Sequence, residues 1–278
     1  MNIHSGTAIR AIADGLLSVI LAPACAACRK PLDGPTRSVV CRKCWKSIRP
    51  LTPPFCAVCG DPLPSWQATE GAHSRCPRCR QYRSSISHGR AIGEYDGVLR
   101  DILHALKYDG RRSIASELAE LMRSRGRSVL TGADCVVPVP LHWRRQWRRG
   151  FNQAAELACG LDLPVVNALR RRRNTQSQTD LPAGERHANV RRAFVARKPA
   201  RITGLCVVLV DDVSTTGATL EACAKELLRG GAREVRTLTA ARVVTQQPVL
   251  RPRRPRPSND RRESAPSERP SPAPDSCS

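Results

Sequence analysis

Aromatic residues are scarce in this chain: four Trp, three Tyr and three Phe among 278 residues leave little ring surface on which nucleic-acid bases could stack. Acidic residues are also few. Against 46 Lys and Arg stand 24 Asp and Glu, a formal net charge of +22. That balance suits an anionic partner, whether nucleic acid, a phosphorylated small molecule or an acidic protein, and does not choose among them. Part of it reflects a composition leaning toward Ala, Arg and Pro. Long apolar runs are missing. Leu16–Ala22 is too short to cross a bilayer and follows Asp14, so neither a transmembrane helix nor a good secretory core is expected, which points to a reducing cytoplasm. The stretch APAC, ending at Cys25, has the look of a lipoprotein cleavage site, but Pro23 before Ala24 and a second cysteine at Cys28 speak against that. A G-x-x-x-x-G-K-[ST] loop is lacking as well, which removes P-loop nucleotide hydrolysis.

Cysteine, by contrast, is plentiful and unevenly placed. Eight of the 13 cysteines form four C-x-x-C pairs before residue 80: Cys25 with Cys28, Cys41 with Cys44, Cys56 with Cys59, and Cys76 with Cys79. Each pair turns two thiolates toward one point, and two such knuckles separated by about 12 to 20 residues complete a tetrahedral zinc site. The simplest assignment is sequential, two structural zinc ions in two ribbons, with an interleaved arrangement left open. Closed four-thiolate sites leave no open position for catalysis. Disulfides are the competing reading, disfavoured because no secretory signal is visible. Between Cys25 and Cys79 the chain is rich in Pro, Gly and Arg and poor in apolar periodicity, so it needs such staples to fold.

Residues 7–22 carry apolar side chains at helical spacing and predict a short amphipathic helix. After residue 90 the periodicity strengthens. A strand is expected near 91–95, helices over 96–106 and 113–122, and a short buried strand in CVVPVP, 135–140. A helix then follows in FNQAAELACGL, and a strand in LPVVNALRR leads into a basic loop. GLCVVLVDD supplies a further strand, ATLEACAKELLRGG a helix ending on glycines, and AREVRTLTAARVV a last strand. Strand and helix alternate, the pattern of an α/β fold with a parallel sheet covered by helices. After Thr245 the chain turns to Pro, Arg and Ser with no large apolar residue beyond Leu250, and is expected to be disordered. The expected division is therefore a helix in 1–24, a double zinc ribbon in 25–82, an α/β domain in 88–245 and a tail in 246–278.

Residues 207–219, VVLVDDVSTTGAT, carry the chemistry. Four apolar residues end in two adjacent carboxylates, a self-repelling pair expected only opposite hydrogen-bond donors or a cation. The turn that follows supplies the hydroxyls of Ser214, Thr215 and Thr216, Gly217 for close backbone approach, and a helix N-terminus near Thr219 whose free amides favour an anion. Phosphate on the turn and sugar hydroxyls on Asp211 and Asp212 together describe a ribose 5-phosphate.

These thirteen residues resemble the signature of type I phosphoribosyltransferases, which bind 5-phosphoribosyl 1-pyrophosphate (PRPP). The resemblance implies that Asp211 and Asp212 hold the ribose hydroxyls while Ser214, Thr215, Thr216, Gly217, Ala218 and Thr219 wrap the 5-phosphate. Together with the four knuckles, EYDGVLRDILHALKYDGRRSIASELA, PVPLHWRRQWRRGFNQAAELA and RHANVRRAF, the chain from about Ala13 to Val244 resembles the ComF competence proteins. That implies a type I phosphoribosyltransferase core, a parallel sheet flanked by helices, preceded by a small zinc-ribbon module. It also places a pyrophosphate loop at Val137, Pro138, Val139 and Pro140. Arg144, Arg145, Arg148, Arg149 and Asn152 lie beside that loop to neutralise the group, although such arginines equally suit a solvated or nucleic-acid-facing surface. A mobile hood over Arg170–Arg192, with Gln176, Arg186 and Asn189, corresponds to the closing lid of such enzymes. The implied ligands and partners are PRPP with Mg2+, single-stranded DNA and other DNA-uptake proteins. No residue identifies an acceptor, so two other readings stay open: a metabolic phosphoribosyltransferase in base salvage, and a non-catalytic nucleic-acid-binding protein.

Overall fold

The computed structural model describes residues 23–32, 38–64, 74–172, 193–197 and 202–244, with only the backbone of Arg144, Arg145 and Arg148. The expected helix over 7–22, the hood residues Gln176, Arg186 and Asn189, and the tail lie outside the described residues.

Four parallel strands form the central sheet: β1 (His88–Ala91), β2 (Cys135–Pro138), β5 (Cys206–Ser214) and β6 (Glu234–Arg242), in the order β1-β6-β5-β2. The run VVLV is apolar throughout because both faces of β5 are covered. Val208 and Val210 point to one side with Val136 and Leu238, against helices α3 (Gly97–Tyr108), α4 (Ile114–Arg125) and α7 (Gln153–Cys159). Val207 and Leu209 point to the other with Val137 and Val235, against α8 (Ala218–Arg229). Every one of these valines and leucines is essentially inaccessible to water. Shorter helices are α1 (Arg42–Lys46), α2 (Pro77–Gln81), α5 (Arg127–Leu130) and α6 (Trp143–Arg149). No helix among the described residues is long and apolar enough to cross a membrane.

Two expected strands fall differently. The strand placed near 91–95 is β1, four residues with a polar, glycine-containing sequence; its ladder runs from His88 opposite Arg236 to Ala91 opposite Thr239, and beyond it only Glu94 bridges β6, at Arg242. Gly93 interrupts the ladder where a side chain would strike Leu99 and the Arg49 carbonyl. LPVVNALRR does not join the parallel sheet. Val165 makes a single bridge to Val136, and the chain then peels away so that β3 (Leu169–Arg171) pairs antiparallel with β4 (Phe194–Ala196) in a two-stranded sheet of its own.

The two ribbons attach in different ways. Cys25, Ala26, Leu32, Val40, Cys44 and Ile48 of the first belong to the same apolar cluster as α3 and α4, and Ser38 donates to Glu117 of α4 at 2.6 Å. The second keeps a small cluster of its own, Cys56, Leu63, Cys76 and Cys79. It docks on β1 and β6 through polar contacts: buried Arg242 pairs with Asp61 and donates to the Cys59 carbonyl at 3.1 Å, and His88 Nδ1 lies 3.2 Å from the Ala57 carbonyl. Gly60 approaches so closely that a Cβ there would sit 2.3 Å from the Gly89 carbonyl oxygen.

Candidate functional site

The eight knuckle thiols gather as two groups, Cys25, Cys28, Cys41 and Cys44, and Cys56, Cys59, Cys76 and Cys79; within each group every sulfur lies within 4.8 Å of the others. The pairing is therefore sequential. A zinc–sulfur distance of about 2.3 Å in a tetrahedron requires sulfurs roughly 3.8 Å apart. The observed separations are 3.9 Å for Cys25–Cys44, 3.8 Å for Cys28–Cys41 and 3.6 Å for Cys59–Cys76. All are far beyond a disulfide bond of about 2.05 Å, and all eight cysteines are free. Crowding of this kind needs a cation. The thiol–thiol contact of Cys56 with Cys59 draws Cys56 below its ordinary range and pushes Cys59 above it, because neighbouring thiols cannot all ionise unaided. Both groups fit structural zinc.

The C-terminal end of β5 is Asp211, Asp212, Val213 and Ser214, still in register with β6 up to Ser214 opposite Arg242. Both carboxylates curl back on the strand, Asp211 Oδ1 accepting from the Asp212 amide at 2.9 Å and Asp212 Oδ1 from the Val213 amide at 2.7 Å. Their charges diverge. Burial first, then the Asp212 charge, raises Asp211 well above the ordinary carboxylate range. Burial pushes Asp212 the same way, but Lys107 outweighs it and holds the group low: Lys107 Nζ sits 2.7 Å from Asp212 Oδ2, both side chains about 15% exposed. Lys107 itself, penalised by burial, is held above its ordinary value by Asp212. The cation that the sequence demanded opposite the carboxylate pair is thus Lys107, near the end of α3.

The turn after Ser214 reaches Gly217, whose φ of +70° is a left-handed conformation that L side chains rarely adopt, and α8 starts at the next residue with this glycine, which has no side chain to offer, at its N-cap. Ser214 is 3% exposed, and its hydroxyl is without a hydrogen-bond partner among the described residues. Thr216 Oγ1 lies 3.4 Å from the Ala218 amide. A cleft of about 620 Å³ opens beside this turn, between α8 and the second ribbon, with Arg78, Tyr82, Ser214 and Gly217 among its walls.

The segment Val137–Pro140 ends β2 next to β5, and the Val139 amide donates to the Val210 carbonyl at 2.9 Å. Asn152 ties it in place: Nδ2 donates to the Val139 carbonyl at 3.0 Å, while Oδ1 caps α7 by accepting from the Ala154 amide at 3.1 Å. Arg149 closes α6 and stacks over the Tyr108 ring, 4.9 Å from its centroid, with Nη2 donating to the Tyr108 hydroxyl at 3.2 Å. Its Nε and Gln153 Nε2 are buried without partners among the described residues. Since Tyr108 follows Lys107, the end of α3 connects Arg149 with Asp212. Lys107 and Tyr108, in LKYDG, are not legible as site residues from the sequence: the aspartate pair calls for a cation or donors, but sequence spacing gives no hint of which residue supplies it.

Two zinc ribbons ahead of a parallel sheet whose inner strand ends in this turn define a phosphoribosyltransferase-like protein with a metal-stapled N-terminal module. Two family profiles agree: one described as double zinc ribbon domain matches residues 16–80, and one described as phosphoribosyl transferase domain matches residues 147–253. The chain belongs to the ComF family. It is 34% identical to DNA utilization protein YhgH of Salmonella typhimurium over 235 residues, covering 79% of this chain and 97% of that protein. It is 32% identical to competence protein F of Haemophilus influenzae, covering 73% of this chain and 90% of that one. With competence protein ComFC of Bacillus subtilis the identity is 30%, over 73% of this chain and 84% of that one.

Proposed function

We propose that this protein binds PRPP with Mg2+ at the C-terminal end of β5 and serves the handling of incoming DNA, a reading supported by relatives named DNA utilization protein and competence protein. The observation that carries the binding reading is the buried Ser214 hydroxyl, without a partner among the described residues, beside the N-terminus of α8 and shortly after two carboxylates. The Ser214 hydroxyl and the amides of Thr215, Thr216, Gly217, Ala218 and Thr219 receive the 5-phosphate, with the helix dipole favouring its charge. Asp211 and Asp212 accept hydrogen bonds from the ribose hydroxyls. Val137, Pro138, Val139 and Pro140 border the pyrophosphate, and Arg149 faces it with a buried Nε still to be satisfied. Lys107 keeps Asp212 ionised in the meantime, so the carboxylate is ready to accept. Magnesium, when bound with the ligand, supplies positive charge that offsets the pyrophosphate. If an acceptor attacks ribose C1, the C1–oxygen bond breaks and pyrophosphate leaves with its electron pair; the residues here place charge around that centre rather than transfer protons.

Calorimetric titration with PRPP and Mg2+ tests this. Asp211→Asn with Asp212→Asn keeps size and removes charge, and since charge-assisted bonds contribute about 1.5–3 kcal/mol each, affinity should fall about ten-fold or more. Unchanged binding rejects the reading.

A contribution from single-stranded DNA contact is favoured by Trp143 and Trp147, which are 64% and 86% exposed one turn apart on α6, within an arginine-rich segment. Binding that weakens steeply with salt and weakens further in Trp147→Ala supports it; salt-insensitive binding, or none at low salt, assigns the arginines to the ligand pocket instead.

A further inference from the structure

Arg78 lies in the middle of the fourth knuckle, between the zinc ligands Cys76 and Cys79, on α2. Its side chain does not turn toward solvent on the ribbon side. Its two terminal nitrogens come within 3.5 and 3.6 Å of the point where a Cβ on Gly217 would stand, and the Ser214 hydroxyl lies 3.8 Å from that same point. Three independent features therefore meet at one spot: a guanidinium with no carboxylate partner among the described residues, a buried hydroxyl lacking a partner among the described residues, and the N-terminus of a twelve-residue helix. Among the described residues no carboxylate pairs with Arg78.

The ribbon that carries Arg78 is fixed to the ligand turn by two clamps. Arg242, 5% exposed, holds Asp61 and the Cys59 carbonyl on one side and stands opposite Ser214 in the β5–β6 ladder on the other. Glu221, in the first turn of α8, accepts from the Ser84 hydroxyl at 2.8 Å and from the Ser85 amide at 3.0 Å, pinning the chain that leaves the ribbon. The ribbon is thus tied to β6 at Cys59 and Asp61, ahead of the fourth knuckle, and to α8 at Ser84 and Ser85, after it.

We propose that Arg78 is a phosphate-binding residue of this site, donated by the second zinc ribbon, so that metal binding in that ribbon sets the affinity for the phosphate group of the ligand. This rests on the reading of the β5–α8 turn given above. Zinc fixes the C-P-R-C turn, the turn aims the guanidinium at the α8 N-terminus, and a phosphate seated on the turn completes the hydrogen bonds of Arg78, Ser214 and the helix amides together. The cleft between ribbon and α8 gives the anion its approach.

The test uses the zinc-loaded full chain, titrated with PRPP and separately with ribose 5-phosphate in the presence of Mg2+. Arg78→Ala should weaken both by a similar factor, about ten-fold or more, with two zinc ions per chain retained, and Arg78→Lys should recover part of the loss. Arg78→Gln takes the place of the alanine variant if that variant loses metal. Unchanged PRPP affinity in the Arg78 variants, alongside lost affinity in the Asp211→Asn, Asp212→Asn protein, overturns the role of Arg78 and leaves the site intact. Weakened PRPP binding with unchanged ribose 5-phosphate binding also overturns it, because the contact would then be to pyrophosphate. A wild-type chain that binds neither ligand overturns both the site and this inference.

Discussion

The two zinc ribbons share a ligand set and differ in what lies beneath them. The first buries Ala26, Leu32, Val40 and Ile48 in the same cluster as α3 and α4, so its fold and that of the α/β core are one apolar unit. The second contributes few large apolar side chains and meets the sheet edge through Arg242, His88 and the close backbone approach of Gly60 to Gly89. A hydrophobic junction resists separation broadly, whereas a polar one depends on geometry and fixes orientation. The first ribbon is accordingly a stabilising element, and the second an orienting one that faces the ligand turn.

The widest gap between them should appear when a thiolate is removed from each. Cys41→Ser opens the first metal site over the shared core and should lower the melting temperature strongly or prevent folding, because lost metal exposes Val40 and its neighbours against α4. Cys76→Ser should leave the α/β domain folded, with a smaller drop in melting temperature and one zinc per chain. Metal analysis and scanning calorimetry on the two variants would contradict the contrast if both lost equal stability.

Breaking the polar junction directly gives a middle effect. Arg242→Met removes the buried guanidinium and leaves Asp61, whose side chain is 31% exposed, to be solvated, so a loss on the order of 2 kcal/mol is expected rather than the full cost of an orphaned buried charge. Urea unfolding measures it; a variant as stable as the parent would show that the second ribbon is not held by this pair.

The smallest effects come from the two aspartates, which should move stability in opposite directions. Asp211 has a folded-state pKa raised above the ordinary 3.8, so its ionisation opposes folding at neutral pH, and Asp211→Asn should stabilise by a small margin. That gain shrinks as pH falls toward 3.8, where the unfolded chain also becomes protonated. Asp212 has a depressed value; its contribution is present above 3.8 and lost as pH falls through the folded value, and Asp212→Asn takes the ion-pair partner from Lys107 while leaving Asp211 nearby, costing about 1 kcal/mol. Thermal melts of each single variant between pH 5 and 8 separate them, and equal shifts of the same sign would contradict the Lys107 pairing.

Much of this arrangement is legible in the amino-acid order. VVLV reads as a strand buried on both faces because nothing polar interrupts it, and C-x-x-C spacing constrains metal geometry locally, so both survive without knowledge of tertiary contacts. The β1 strand, H-G-R-A, does not announce itself, since its polar side chains meet the second ribbon rather than solvent or core. LPVVNALRR looks like a sheet strand from its valines, yet it meets β2 at Val136 alone, through Pro164 and Val166, before the chain departs. Arg78, Lys107 and Arg242 were invisible as site residues for a related reason: each is one basic residue among 46, and only the meeting of distant surfaces singles it out.

The central claim is that a phosphoribosyl ligand sits on the β5–α8 turn. A crystal of the zinc-loaded chain soaked with PRPP and Mg2+ tests it most directly. The account predicts density for the 5-phosphate on the amides of 215–219 within reach of Ser214, and ribose hydroxyls on Asp211 and Asp212. Ligand bound elsewhere, or a turn that stays bare at saturating PRPP, would contradict it.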